Sequence, residues 1–298
     1  MTARQDTMEF DLCETGTTSP AFARVHHHAD PHLTPSEAAR WLLAAHRIAC
    51  DGQYTVPLVV TGAAFGKADL AHPTEKRYPN SLEFAQCIAA AQAWLSVLDS
   101  ELGPELACAM LFGLDVYARS HRTAPDAVAQ FVAHRPAGGR NSQLIGAKRL
   151  PTSEEERFVY VYPDDHGLPM RVGVPGFGST VALVCHDTTA YFPRSEATTR
   201  TDWRWERRCN IKNDVTDGAV QFIFNAIHRL PSVRTFATSY HAISQANPSL
   251  TIIGAFGVAD AVSRAKILDM ASQLTVPSSS SLESIPFKRS CAKRSLLM

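Results

Sequence analysis

The sequence predicts an α/β layered domain, and three observations carry that prediction. Short apolar runs of strand length recur along the chain: residues 57–60 (PLVV), 108–117 (CAMLFGLDVY), 181–184 (VALV), 221–227 (QFIFNAI) and 250–256 (LTIIGAF). Segments with helical spacing separate many of them, and buried strands alternating with helices make layered α/β sheets. The composition, 45% hydrophobic and 19% charged over 298 residues, is that of a globular chain able to bury a large core.

Taken in order, residues 1 to about 33 are expected to be irregular, with Thr, Ser, Pro and the run His26-His27-His28 and little periodicity. A single domain over 34–276 follows, and residues 277–298 form a serine-rich, then basic tail expected to be disordered. Thr34-Pro35-Ser36-Glu37 reads as a capping box with Pro at the first helical position. Ala38, Trp41, Leu42, Ala45 and Ile48 then repeat at helical spacing until Asp51-Gly52. After the strand at 57–60 comes a loop of small residues, Thr61-Gly62-Ala63-Ala64-Phe65-Gly66.

Asn80 and Glu83 open a long helix whose apolar positions Phe84, Ile88, Ala91, Leu95, Leu98 and Leu102 step by four and three. Gly103-Pro104 stops it. Residues 158–162 and 170–174, joined through Asp164-Asp165-His166-Gly167, suggest a hairpin. Residues 235–246 and 259–273 have helical spacing around the last strand.

Charge and cysteine usage narrow the function. Lys+Arg and Asp+Glu both count 29, so no net charge steers the chain toward nucleic acid or an anionic membrane. No apolar run is long enough to span a bilayer, and no secretory core opens the sequence. The seven cysteines are scattered without a CxxC pair, as in a reducing, cytoplasmic compartment. No GxGxxG or GxxxxGK[ST] pattern occurs, so no nucleotide or other cofactor is expected.

The chemistry gathers at the end of the strand 181–184, where four apolar residues deliver Cys185-His186-Asp187. In parallel sheets, ligands collect at the carboxyl ends of strands. That places Asp115, Cys185, Asn225 and His228 in the region to search. A rigidly held thiol becomes a nucleophile when a cation, base or helix terminus lowers its pKa. The alternative is a buried cysteine that merely ends a core strand.

Cys185-His186-Asp187-Thr188-Thr189-Ala190-Tyr191-Phe192-Pro193 resembles the nucleophile block of the carbon–nitrogen hydrolase (nitrilase) superfamily: strand, cysteine, an acid two positions on, then an aromatic-Pro pair. The surrounding order is similar too. Leu58-Val59-Val60-Thr61-Gly62 resembles the second strand, Asn141-Ser142 the opening of the strand before the family lysine, and Phe222-Ile223-Phe224-Asn225 the strand after the nucleophile. The resemblance implies a nitrilase-like α-β-β-α sandwich, dimerised through its helices. It also implies hydrolysis or acyl transfer on a small-molecule amide, nitrile or carbamoyl group through a cysteine thioester.

On that resemblance Cys185 is the nucleophile, and Lys148, following Asn141-Ser142, stabilises the oxyanion. His186 and Asp187 are candidate catalytic partners, and His228, Asn225 and Asp115 candidate substrate-binding residues. The family's glutamate base, due just after the second strand, has no counterpart in Thr61-Gly62-Ala63-Ala64-Phe65. His186, Asp187 and Asp115 are the candidates to replace it, and loss of activity, leaving a binding or assembly module, is the alternative.

Two further signals remain. His26-His27-His28-Ala29-Asp30-Pro31-His32 has the residue types of a metal site, and hence of a metal-dependent hydrolase, although Pro31 breaks helical geometry. Trp203, Arg204, Trp205, Arg207 and Arg208 read as a solvated loop anchored by its tryptophans.

Overall fold

The computed structural model describes residues 7–13, 22–27, 33–50, 58–70, 81–104, 106–117, 127–139, 141–152, 155, 168–192, 201–228, 233–256 and 294–297. Two sheets carry the architecture. The first has eight strands: β1 (Thr7–Cys13), β2 (Phe22–His27), β3 (Leu58–Thr61), β4 (Gly66–Asp69), β5 (Ala109–Tyr117), β6 (Ala127–Arg135), β7 (Gln143–Ala147) and β12 (Arg294–Leu297). Their order is β12-β1-β2-β3-β5-β6-β7, with β4 also paired to β5. The second sheet orders β11 (Thr251–Phe256), β10 (Phe222–Ile227), β9 (Gly178–Val184) and β8 (Arg171–Val174).

Side-chain alternation along each strand sets the layers. On β5, Met110, Phe112, Leu114 and Val116 join a core that includes Trp41 and Leu42 of α1 (Pro35–Cys50) and Phe84, Trp94 and Leu98 of α2 (Ser81–Leu102). The alternate residues, Ala109 and Leu111, join a second core with Ala182 and Val184 of β9 and Phe224 of β10. That second core continues to Ile211 of α3 (Asp202–Thr216) and to Phe236 and Ile243 of α4 (Val233–Ala246). The layers are therefore α-β-β-α, with mixed sheets and flanking helices. A Cβ at Gly146 of β7 would lie 3.1 Å from the Ala182 side chain of β9, so glycine there lets the two sheets approach.

The local signals act as the sequence predicts. Thr34 N–H donates to Glu37 Oε2 at 2.9 Å and Glu37 N–H to Thr34 Oγ1 at 3.4 Å, closing the capping box of α1. Gly103 takes a left-handed φ of +70° just past α2.

Three expectations are corrected. Residues 1–33 are not uniformly irregular: β1 runs antiparallel to β2, and β2 joins the first sheet parallel to β3. The alternation Met8-Glu9-Phe10-Asp11-Leu12 carries a strand pattern that the surrounding turn residues obscure. The tail contains β12, antiparallel to β1. Residues 203–208 form the first turns of α3 rather than a loop, with Trp203 and Trp205 exposed and Arg208 buried. Residues 171–174, as β8, pair antiparallel with β9 through a turn containing Gly176. The segments 158–162 and 259–273 lie outside the described residues.

Candidate active site

Strand direction brings the polar residues together. Strands β9 and β10 are parallel in the second sheet. In the first sheet β6 is antiparallel to both β5 and β7, so β5 and β7 point the same way. Asp115 lies near the end of β5, Lys148 just after β7, Cys185 just after β9 and His228 just after β10. Asp115 shares its strand face with Leu111, so it projects between the sheets.

Cys185 opens a 3-10 turn, Cys185–Tyr191, with a left-handed φ of +46°. A side chain in that region is strained, and strain held at a strand-to-turn corner is a common way to present a nucleophile. The turn is braced throughout. Thr188 Oγ1 donates to Cys185 O at 3.2 Å and Thr189 Oγ1 to His186 O at 2.7 Å. Arg208 Nη1 donates to Ala190 O at 3.0 Å and its Nη2 to Thr189 O at 3.0 Å.

Asp187 has a different task from the one expected of a catalytic partner. Its Oδ1 accepts from the Arg149 and Leu150 amides at 2.9 and 2.7 Å, and its Oδ2 accepts from the Val184 amide at 3.0 Å. It thereby ties the Lys148-Arg149-Leu150 segment to the nucleophile turn. Burial pushes its carboxyl pKa up, against the pull of Arg149 and these three amides.

Lys148 has a fully buried side chain and pairs with Glu155, Nζ to Oε1 at 2.6 Å. Glu155 in turn caps its own turn: Thr152 N–H donates to Oε2 at 2.7 Å, and Glu155 N–H to Thr152 Oγ1 at 3.2 Å. Burial would raise the Glu155 pKa, but Lys148 and Thr152 outweigh it and bring the value down to about 2. The pair is thus ionic at neutral pH. Glu155 is absent from the sequence-based site. Its signal was present, since Thr152-x-x-Glu155 is a second capping box, the pattern already read at Thr34.

His228 is the junction of the site. Its Nε2 lies 2.7 Å from Asp115 Oδ2. Burial lowers the pKa of its ring, but Asp115 and the contact with Cys185 raise it more, to about 10. For Cys185, burial raises the thiol pKa, while His228 and the Lys148 charge lower it further, for a net depression. The thiol–imidazole contact is not a fully aligned hydrogen bond, because Nδ1 has no partner of full hydrogen-bond geometry. Such contacts often tighten only with substrate in place. The two shifts both favour the charged thiolate–imidazolium pair over the neutral one.

His186 faces the same cluster but is uncharged at neutral pH: burial first, then Lys148, lower its pKa to about 4. Asn225 is not part of the site. It is buried, and its Nδ2 donates to Tyr240 OH of α4 at 2.9 Å, toward the helix layer. Strand alternation turns Asn225 away from the sheet interface.

The histidine run does not assemble a metal centre among the described residues. His26 and His27 end β2, paired with Glu9 and Met8 of β1, and residues 28–32 lie outside the described residues. No group of three or more His, Cys, Asp or Glu positioned for a metal occurs among the described residues. No described helix is long and apolar enough to cross a membrane.

No family model matches the chain, and no curated protein matches it. Among solved structures it is similar to an amidase from Nesterenkonia sp., at 15% identity and a TM-score of 0.46, over 77% of this chain and 73% of that one. A variant of the Nesterenkonia sp. AN1 amidase, carrying the acetamide moiety of fluoroacetamide on its active-site cysteine, matches at 13% identity and a TM-score of 0.44 over 77% and 73%. Another variant, in complex with butyramide, matches at 13% identity and a TM-score of 0.46 over 77% and 74%.

Proposed function

We propose that the chain is a thiol hydrolase acting on a non-peptide carbon–nitrogen bond, an amide, nitrile or carbamoyl group, through a thioester on Cys185. The observation that carries this reading is the convergence on Cys185. A thiol of depressed pKa sits on a left-handed turn, against His228 and within the field of the buried Lys148. The choice of bond rests on the resemblance of residues 185–193 to the carbon–nitrogen hydrolase block.

Each part has a task in this reaction. The Cys185 thiolate attacks the substrate carbon. The Lys148 ammonium, fixed by Glu155, opposes the negative charge that develops on the substrate oxygen, a contribution that grows in the transition state. Asp187 holds the lysine segment and the nucleophile turn in register, so it is a positioning residue. His186, neutral beside Lys148, lines the site without adding charge.

The test is a panel of small amides, nitriles and carbamoyl compounds, with the intact mass of the protein followed during turnover. Wild type should turn over at least one class and show an acyl adduct that maps to Cys185, and Cys185→Ala should do neither. A thiol that alkylates no faster than free cysteine, with no adduct from any class, would favour a non-catalytic binding module instead.

A further inference from the structure

Resting on that reading, we propose that His228, oriented by Asp115, is the proton carrier of the reaction and stands in for the glutamate that the sequence lacks after its second strand. The position due for that acid is occupied by Thr61-Gly62-Ala63-Ala64-Phe65, which offers no carboxyl group. The loop is also packed closed. Gly113 N–H donates to Gly62 O at 3.2 Å, and a Cβ at Gly113 would lie 2.4 Å from Ala63 Cα.

The other acids gathered here are engaged. Glu155 is held by Lys148, Thr152 and Gln130, whose Nε2 donates to Oε1 at 3.2 Å. Asp187 is spent on three backbone amides. Asp115 is committed to His228, with its own Oδ1 buried and unpartnered. Among the described residues that leaves the His228 ring, whose Nε2 faces Asp115 and whose Nδ1 is buried without a hydrogen-bond partner. With Nε2–H donating to Asp115, Nδ1 is the nitrogen available to exchange a proton. The His228 side chain is 23% exposed, although Nδ1 itself is buried. A nucleophile, a base and an acid that orients the base form a triad recognised by geometry rather than by sequence position. Here the three members come from strands of two stacked sheets.

For an amide substrate the proton balance closes. The thiolate forms a C–S bond while the proton on Nδ1 passes to the leaving nitrogen, the C–N bond breaks and an amine departs. Water then gives one proton to Nδ1 and its oxygen to the thioester carbon. The C–S bond breaks, the thiolate is restored beside imidazolium, and the carboxylic acid releases its proton to solvent. The charged groups that act on His228 are Asp115, Cys185 and Glu155, with Lys148 acting on Cys185.

The experiment is the pH dependence of Cys185 alkylation by iodoacetamide, alongside amide turnover, in wild type, His228→Gln and Asp115→Asn, each checked for folding by circular dichroism. Wild type should alkylate with a midpoint well below that of free cysteine. His228→Gln should move that midpoint upward and slow alkylation at pH 7 on the order of tenfold. Asp115→Asn should lower turnover by a hundredfold or more, on the order of the loss seen when a triad acid is neutralised. His228→Ala should regain part of its turnover with added imidazole, a rescue that a merely structural histidine would not give. An unchanged alkylation profile in folded His228→Gln overturns the assignment while leaving the hydrolase reading intact. A shifted profile, in a wild-type protein that forms no thioester with any substrate, defeats the hydrolase reading and leaves the ion pair standing.

Discussion

The two ends of the first sheet each bury a carboxylate against a cation, and they differ in what is left open. At one end, Asp99 of α2 takes Arg135 Nη1 at 2.5 Å, Ser142 Oγ at 2.6 Å and the Ser142 amide at 2.6 Å. Arg135 Nη2 goes on to Gly103 O. Both oxygens of that carboxylate are satisfied, and the cluster ties α2 to β6 and β7. At the other end, Lys148 and Glu155 are similarly matched, but Asp115 Oδ1 and His228 Nδ1 have no partner and Cys185 is held in a strained turn. Buried polar atoms are normally paired, so an exception calls for an explanation. Unpartnered buried atoms occur at both ends, Arg135 Nε and both His134 ring nitrogens among them, so the contrast lies in the acids: Asp99 has committed both of its oxygens, whereas Asp115 keeps one in reserve.

The largest effect should separate the ends by function. Cys185→Ala should lower turnover by at least about a thousandfold, the scale on which removal of a nucleophile is felt. Its urea midpoint should move little, because the lost side chain is small. A variant that unfolds as readily as it loses activity would make Cys185 part of the scaffold.

At the anchor end the order should reverse. Asp99→Ala leaves the Arg135 guanidinium buried without its partner, a change that costs about 3–5 kcal/mol. Activity per folded molecule should be unchanged. A large drop in kcat with unaltered stability would mean that the two ends are coupled.

Acid should act on both ends, but in different windows. His134, next to Arg135 on β6, is buried with neither ring nitrogen partnered, and burial lowers its pKa from 6.5 to about 4. The unfolded chain therefore binds a proton that the folded chain refuses. Stability is lost as pH falls from 6.5 toward 4, by about 2 kcal/mol between pH 7.5 and 5. His186 adds a share in that window from the other end. Glu155 is depressed from 4.5 to about 2, so its contribution is intact above 4.5 and disappears as pH falls toward 2. Urea unfolding of His134→Leu at pH 7.5 and 5 should show a smaller acid loss than wild type by about 2 kcal/mol. An equal loss in the two proteins would place the titration elsewhere.

Much of this comparison was legible before the structure because it is local. The strand leading to Cys185, the caps at Thr34 and Gly103, and Lys148 downstream of Asn141-Ser142 are each visible in a short window of sequence. The Asp115–His228 pair was not, because the partners lie 113 residues apart and on different sheets. Both residues had been singled out, yet only sheet stacking makes them a pair. The hint available was an acid inside an otherwise apolar run, AMLFGLDVY, whose every residue is buried. Helix α3 escaped because its buried stripe, Arg208, Ile211 and Val215, is built partly on an arginine. Hydrophobic periodicity does not score that residue as core.

The smallest effect concerns one backbone conformation used at both ends. Gly103, beside the Asp99 cluster, has φ +70° with nothing within 4 Å of where a Cβ would stand. Cys185 has φ +46° and carries a side chain. At the anchor end the left-handed turn is built with the residue that adopts it freely, so Gly103→Ala should cost about 1 kcal/mol through strain alone. At the Cys185 end the same backbone conformation is held by a residue that carries a side chain, a thiol. Replacing Cys185 should therefore rank glycine above alanine in stability by about 1 kcal/mol, the reverse of the usual order inside regular elements. Both comparisons can be read from urea midpoints in one series. If Cys185→Ala proved the more stable, the turn would relax without glycine, and strain would no longer distinguish the Cys185 end from the anchor.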